Sequence, residues 1–239
     1  MQTPHRVQLS FGGPTTPTVK ILLIATAATF FLQAITQRFL GFYLEPLFGL
    51  VPYLVTHRFF LWQPFTYLFL HGGVFHLLFN LLVLWMFGCE LERVWGRRFF
   101  LKYFFVCGTG AGIVVALLSS SSMVPTIGAS GALYGVLLAY GLLFPDRQIL
   151  LWFVLPIRAK HFVLFIGAIA FYSTLTLPGS GISHLAHLSG LLIGYLYLRG
   201  WGHVRRLQKQ YLEWKLKRLK KKFRVIDGGD DQDKPPYVH

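Results

Sequence analysis

Ser130 stands in the run PTIGASGALYG (125–135), where small residues flank a hydroxyl at the start of an apolar stretch that continues to Phe144. Two further stretches open in a comparable way. HGGVFHLLFN (71–80) places His76 and Asn80 four residues apart, hence on one face of a helix, and SHLAHLSGLLIG (183–194) carries His184 and His187. A hydroxyl, imidazoles and a carboxamide are the parts of an acyl-transfer site. The serine attacks a carbonyl, an imidazole takes its proton and later returns it to the leaving amine, and the remaining donors hold the developing oxyanion. Taken alone, Ser130 reads as a packing residue, because small side chains let helix backbones approach closely. His184 and His187, three apart, have the look of a metal pair. No Cys, Asp or Glu nearby completes a ligand set, however, and no His-Glu-x-x-His run occurs, so no metal is expected.

The elements that must position these residues are membrane helices. The chain is 54% hydrophobic and 13% charged, and its mean hydropathy is +0.52. A core of 239 residues cannot hide that much apolar surface, which excludes a soluble globular domain. A spanning helix needs roughly 20 mostly apolar residues, and six segments qualify: 19–38, 74–91, 99–118, 127–144, 160–177 and 182–199. The connection between the first two is aromatic yet broken by Gly and Pro, and is expected to lie in the membrane interface. QILLWFVLPI (148–157) is too short to span and is read as interfacial too. The first apolar run lacks a small-residue cleavage site and reads as a retained helix. Cys89 and Cys107 both lie in apolar runs, so no disulfide framework is expected.

Charge sets the orientation. The connection between spans 2 and 3 carries Arg93, Arg97, Arg98 and Lys102, and that between spans 4 and 5 carries Arg147, Arg158 and Lys160. The 3–4 connection (119–126) and the short 5–6 turn carry no charge. Both termini are therefore expected in the cytoplasm, with spans 2, 4 and 6 starting at the outer face. On that topology Ser130, His76, Asn80, His184 and His187 share one depth, and Gly131-x-x-x-Gly135 with Gly190-x-x-x-Gly194 lets spans 4 and 6 approach closely. The glycines can pack the helices that the serine and imidazole need close together. A transporter or binding protein using the same cluster as a proton or ligand site is the alternative. It calls for polar residues continuing to the inner face, and the inner halves of these spans are almost purely apolar. Of the nine acidic residues only Glu45 falls on the outer side, and no span holds a pair of Asp for an aspartyl protease. A Ser–His dyad is expected.

The net charge of +14 does not point to nucleic acid, because eleven of the 23 basic residues fall between Arg199 and Arg224. In that tail Val204, Leu207, Tyr211 and Trp214 share one helical face and the rest is basic. A helix on anionic lipid headgroups is the first reading, a small coiled-coil contact the second, and a solvated charged extension the plain alternative. The expected organisation is a cytoplasmic segment (1–18), a membrane domain (19–200), a basic amphipathic helix (201–226) and a disordered end (227–239).

HLLFN in span 2, GASG in span 4 and AHLSG in span 6, in this order, resemble the signature of rhomboid intramembrane serine proteases over roughly residues 15–200. The resemblance implies an all-α, six-transmembrane-helix bundle with Ser130 as nucleophile and His187 as general base and acid. His76, Asn80 and the Ser130 backbone N–H would form the oxyanion hole. Tyr134 would pack on the catalytic imidazole, with Gly128, Gly131 and Gly190 as supporting positions. Glu92, in ELERVWG, resembles the structural Glu at the inner end of span 2. The long first connection would be the family's half-submerged loop, although Trp62-Gln63 stands where many members have Trp-Arg. No cofactor is implied. Substrates would be single-span or multi-span membrane proteins entering between spans 2 and 5, with Gly179 and Gly181 suiting the motion of the loop before span 6. The compact six-helix form points to a bacterial inner-membrane enzyme, with an organellar origin left open.

Overall fold

The computed structural model describes residues 14–151, 155–176, 184–200 and 202–222. Helix α1 (Pro17–Leu40) begins with a proline in its first turn, where the missing N–H costs no hydrogen bond. Its free N–H groups are capped from a distance: Thr18 N and Val19 N each donate to the Glu92 carboxylate at 2.9 Å, and the Thr16 hydroxyl donates to it as well. A buried carboxylate at a helix N-terminus is favoured by both the unpaired donors and the helix dipole.

The long first connection folds into short helices α2 (Glu45–Phe48), α3 (Pro52–Arg58) and α4 (Gln63–Thr66), followed by a 3₁₀ turn, Tyr67–Phe69. Phe59, Leu61 and Trp62 stay exposed on it, as an interfacial loop requires. Gln63 is fully buried. Its Oε1 accepts from Val51 N at 2.9 Å, and its Nε2 donates to the carbonyls of Pro46 at 3.1 Å and Leu47 at 3.3 Å. The loop is thus anchored by a neutral amide where the resembling family often carries a cation.

The second apolar run is α5 (Val74–Val83), a π turn (Leu84–Gly88) and α6 (Cys89–Trp95), which form one continuous helical rod. Gly96, at φ +78°, turns the chain into α7 (Arg97–Leu118). Helix α7 buries Phe100, Tyr103, Phe104, Cys107, Ala111 and Val115 at three- and four-residue spacing and sits centrally in the bundle. Helix α8 (Ser130–Leu143) is buried on nearly every side. At 1.5 Å per residue its 14 residues reach about 21 Å, short of a hydrocarbon core of about 30 Å, so at least one of its ends lies within the apolar layer. Helix α9 (Ala159–Thr176) is mostly exposed, and α10 (His184–Gly200) packs against both α7 and α8.

Close approach of α8 and α10 depends on the glycines. A Cβ on Gly190 would lie 1.9 Å from the Gly131 carbonyl oxygen, and one on Gly194 would lie 3.2 Å from the Gly135 Cα. Tyr103 Oη donates to the Gly135 carbonyl at 2.8 Å, tying α7 to the same seam.

The chain is an all-α polytopic membrane bundle. Among the described residues four helices are long and apolar enough to cross a membrane: Pro17–Leu40, Val74–Trp95, Arg97–Leu118 and Ala159–Thr176. Helices α8 and α10 occupy the expected fourth and sixth positions but are shorter, at 14 and 17 residues. The segment after α8 forms a small antiparallel hairpin, β1 (Gln148–Leu151) against β2 (Leu155–Arg158), with Gln148 opposite Arg158. Strands of four residues cannot span the membrane. Helix α11 (His203–Lys222) follows α10 after two residues. Its Leu207 is buried and its Tyr211 packs edge-on against Phe144 with ring centroids 4.8 Å apart. This part of the tail's apolar face therefore docks on protein; the side chain of Val204 and residues 227–239 lie outside the described residues.

Candidate active site

Ser130 is the first residue of α8, so its own N–H is among those without an intrahelical acceptor. The approach to it is narrow. Gly128 takes φ +114°, a conformation costly for any residue with a Cβ, and a Cβ there would also sit 2.8 Å from Cε1 and Nε2 of His76. Its N–H donates to the Tyr67 carbonyl at 2.9 Å, and Leu50 and Thr126 exchange backbone hydrogen bonds at 2.9 and 2.8 Å. The first connection therefore forms the wall against which the residues before Ser130 are fixed.

From α10, one turn below its start, His187 brings Nε2 to 2.7 Å from Ser130 Oγ. Tyr134, one turn beyond Ser130 on α8, stacks face-on against the His187 ring at 4.3 Å and 4°. The imidazole is thereby held in plane from one side and by the serine at its edge. His184 lies edge-on to His187 at 6.1 Å.

His76 and Asn80 come from α5 on the opposite side of the same cavity, whose volume is about 560 Å³ and whose lining includes Gly128, Ser130, Tyr134 and His187. Leu133, Leu137 and Val83 close it with apolar surface. Asn80 is buried and its Nδ2 donates to the His76 carbonyl at 2.7 Å, which leaves the second amide hydrogen available. The Gly72 N–H points at His76 Nδ1 over a long 3.4 Å. An acceptor role for Nδ1 puts the proton of the neutral ring on Nε2, the nitrogen that faces Gly128.

His71 is buried at 2% exposure. Its Nδ1 donates to the Phe69 carbonyl at 3.3 Å, and its ring meets His76 edge-on at 4.9 Å. Burial and the neighbouring His76 push its pKa down to about 4, so the ring is neutral near pH 7. Two further residues carry this region. One is Gln63, noted in the sequence as a departure from the family's Trp-Arg, and the other, which sequence reasoning passed over, is Gln33 of α1, buried to 5% exposure and bonded to the backbone of His71. The sequence signal for Gln33 was a carboxamide inside an otherwise apolar spanning run. Glu45, the one acidic residue expected on this side, accepts from Gln33 Nε2 at 2.8 Å and has no place beside His187. Gly179 and Gly181 lie outside the described residues.

A family model described as the Rhomboid domain matches residues 58–203, which take in α4 to α10 and every residue of the cluster. Rhomboid protein 1, mitochondrial, of Saccharomyces cerevisiae is 34% identical over 147 residues, covering 59% of this chain and 42% of that protein. RHOMBOID-like protein 1 of Arabidopsis thaliana is 31% identical over 162 residues, 65% of this chain and 39% of its own length. Rhomboid protease GluP of Bacillus subtilis is 32% identical over 134 residues, 56% of this chain and 25% of its own length. In each case the chain matches less than half of its relative. Since the matched region is more than half of this chain and coincides with the bundle that builds the cavity, this multi-pass membrane protein belongs to the rhomboid family, a family of intramembrane proteases.

Proposed function

We propose that the chain is a serine endopeptidase that hydrolyses peptide bonds in or near the transmembrane segments of membrane-protein substrates. The observation that carries this reading is the 2.7 Å contact between Ser130 Oγ and His187 Nε2 inside a cavity lined on its far side by His76 and Asn80. His187 Nε2 takes the Ser130 proton as Oγ attacks the substrate carbonyl carbon, and the carbonyl π electrons move onto oxygen. The N–H of Ser130, Nε2–H of His76 and the second amide hydrogen of Asn80 stabilise that oxyanion. The imidazolium then protonates the leaving amine as the C–N bond breaks. Water, deprotonated by the same imidazole, hydrolyses the acyl-enzyme and regenerates Ser130. Stacking on Tyr134 supplies the orientation that a third triad member gives elsewhere.

In this reading α1, α5–α6, α7, α8, α9 and α10 are six spans of the membrane domain, both termini are cytoplasmic and the cavity opens to the outer face. The bacterial inner membrane is the proposed setting; the Bacillus subtilis relative fits it, and the yeast relative named as mitochondrial marks the rival. The basic tail meets anionic headgroups through exposed Leu212, Leu216 and Leu219 and the exposed Lys209, Lys215 and Lys217.

The test is labelling with a serine-directed fluorophosphonate in detergent, run beside cleavage of a transmembrane substrate. Wild type is expected to label and cleave, with both lost in Ser130→Ala and His187→Ala. Wild type that does neither would overturn the reading in favour of a transporter or binding protein.

A further inference from the structure

Helix α1 turns most of its surface outward, yet Gln33 is buried on it to 5% exposure. A carboxamide inside a spanning helix is costly unless every polar atom finds a partner. Gln33 finds them on two groups, the His71 backbone and the Glu45 carboxylate. Its Oε1 accepts from His71 N at 3.0 Å, and its Nε2 donates to the His71 carbonyl at 3.4 Å and to Glu45 Oε1 at 2.8 Å. Both backbone groups of His71 are thus held by one side chain, which is itself oriented by the Glu45 carboxylate.

The position of His71 has a consequence for the cavity. Only Gly72 and Gly73 separate it from the first residue of α5, and Gly73 has no atom within 4 Å of where a side chain would begin. A Cβ on Gly72 would meet only Ile127 Cδ1 at 3.6 Å and His76 Nδ1 at 3.9 Å, so two glycines give the chain little stiffness of their own and the entry of α5 is set chiefly by what holds His71. Three contacts on His76 depend on that entry: the edge-on His71 ring at 4.9 Å, the Gly72 N–H at 3.4 Å from Nδ1, and the approach of Nε2 to Gly128.

We propose that Gln33, oriented by Glu45, is a positioning residue for His76: it clamps the His71 backbone so that His76 Nε2 faces the carbonyl carbon's oxygen during attack by Ser130. The inference rests on the oxyanion role given to His76 above. A displaced donor weakens transition-state stabilisation while leaving ground-state binding intact, so kcat falls and KM does not.

Kinetics of transmembrane-substrate cleavage by the full chain in detergent, with Tm measured on the same samples, test this. Gln33→Leu is expected to lower kcat about tenfold with KM within about twofold. Gln33→Glu, which sets a second carboxylate against Glu45, is expected to lower kcat at least as far. The exchanged pair Gln33→Glu with Glu45→Gln restores an acceptor for His71 N and a donor between the two side chains but no donor for the His71 carbonyl, and is expected to recover kcat in part, to at least about threefold above Gln33→Glu alone. In a His76→Ala background Gln33→Leu is expected to cost less than about twofold, because the residue it positions is gone. A Gln33→Leu effect undiminished in that background overturns the proposal, as does wild-type kcat in Gln33→Leu, or an exchanged pair that regains Tm without kcat. Wild type that neither labels with fluorophosphonate nor cleaves overturns the protease reading itself, which is a distinguishable outcome.

Discussion

At the scale of single residues, the cavity tolerates little at Gly128. Two independent constraints meet there: a φ of +114° and a distance of 2.8 Å from a built Cβ to the His76 ring. Backbone strain of this kind costs on the order of 1–3 kcal/mol, and the steric conflict falls on a proposed oxyanion donor. Gly128→Ala is therefore expected to reduce cleavage by about 10²-fold while fluorophosphonate labelling slows in parallel, and a variant with more than a third of wild-type kcat contradicts this geometry. Ser130 and His187 were legible in the sequence because both open an apolar run, within the first two turns from its uncharged end, which puts them at one depth. Gln33 was not, and Gln63 was visible only as a departure from the family's Trp-Arg, without its partners. A buried amide and an exposed one look alike in a sequence, and what distinguishes these two is the backbone of other segments, 12 to 38 residues away, that meets them.

At the scale of elements, the first connection does more than fill the gap between α1 and α5. It supplies the Tyr67 carbonyl that accepts from Gly128 N–H and pairs Leu50 with Thr126 just before the nucleophile. Gln63 is the internal fastener of that loop, so Gln63→Leu leaves Val51 N and the Pro46 carbonyl without their partner in a buried site. Unpaired buried groups cost about 1–3 kcal/mol each. The expected result is a Tm drop of several degrees together with faster proteolysis between α2 and α4; an unchanged Tm would mean that the backbone of the loop holds itself. Aromatic residues interrupted by Gly and Pro mark the loop as something other than a span, but its short helices were not legible, since none is long enough to show a period. The π turn at Leu84–Gly88 and the hairpin after α8 escaped for the same reason. Each is a local departure, a few residues long, decided by the packing around it.

At the scale of the whole molecule, α1 is held to the bundle by polar contacts at both ends: Glu92 caps its start and Gln33 is bonded near the other side of the membrane. The tail shows a comparable division between a protein-facing and a free surface. Leu207 and Tyr211 are committed to the bundle, Tyr211 against Phe144, whose ring also lies under the Arg147 guanidinium at 5.1 Å. The hydrophobic face read from the sequence was real, but periodicity alone cannot say whether an apolar face meets lipid or protein. What is left free is Leu212, Leu216 and Leu219, four and three apart and so on one face, with Lys209 and Lys215 exposed beside them. A second copy laid along this stripe would oppose lysine to lysine, whereas an anionic bilayer neutralises them, each basic residue near the surface contributing about 1 kcal/mol. Only two residues separate α10 from α11, so on the proposed topology the tail stays close to the bilayer. In proteoliposomes the tail is therefore expected to resist trypsin when phosphatidylglycerol is present and to be cut in pure phosphatidylcholine. The triple variant Lys209→Gln, Lys215→Gln, Lys217→Gln should be cut in both, and equal protection of wild type in the two lipids would assign the stripe to protein contact instead.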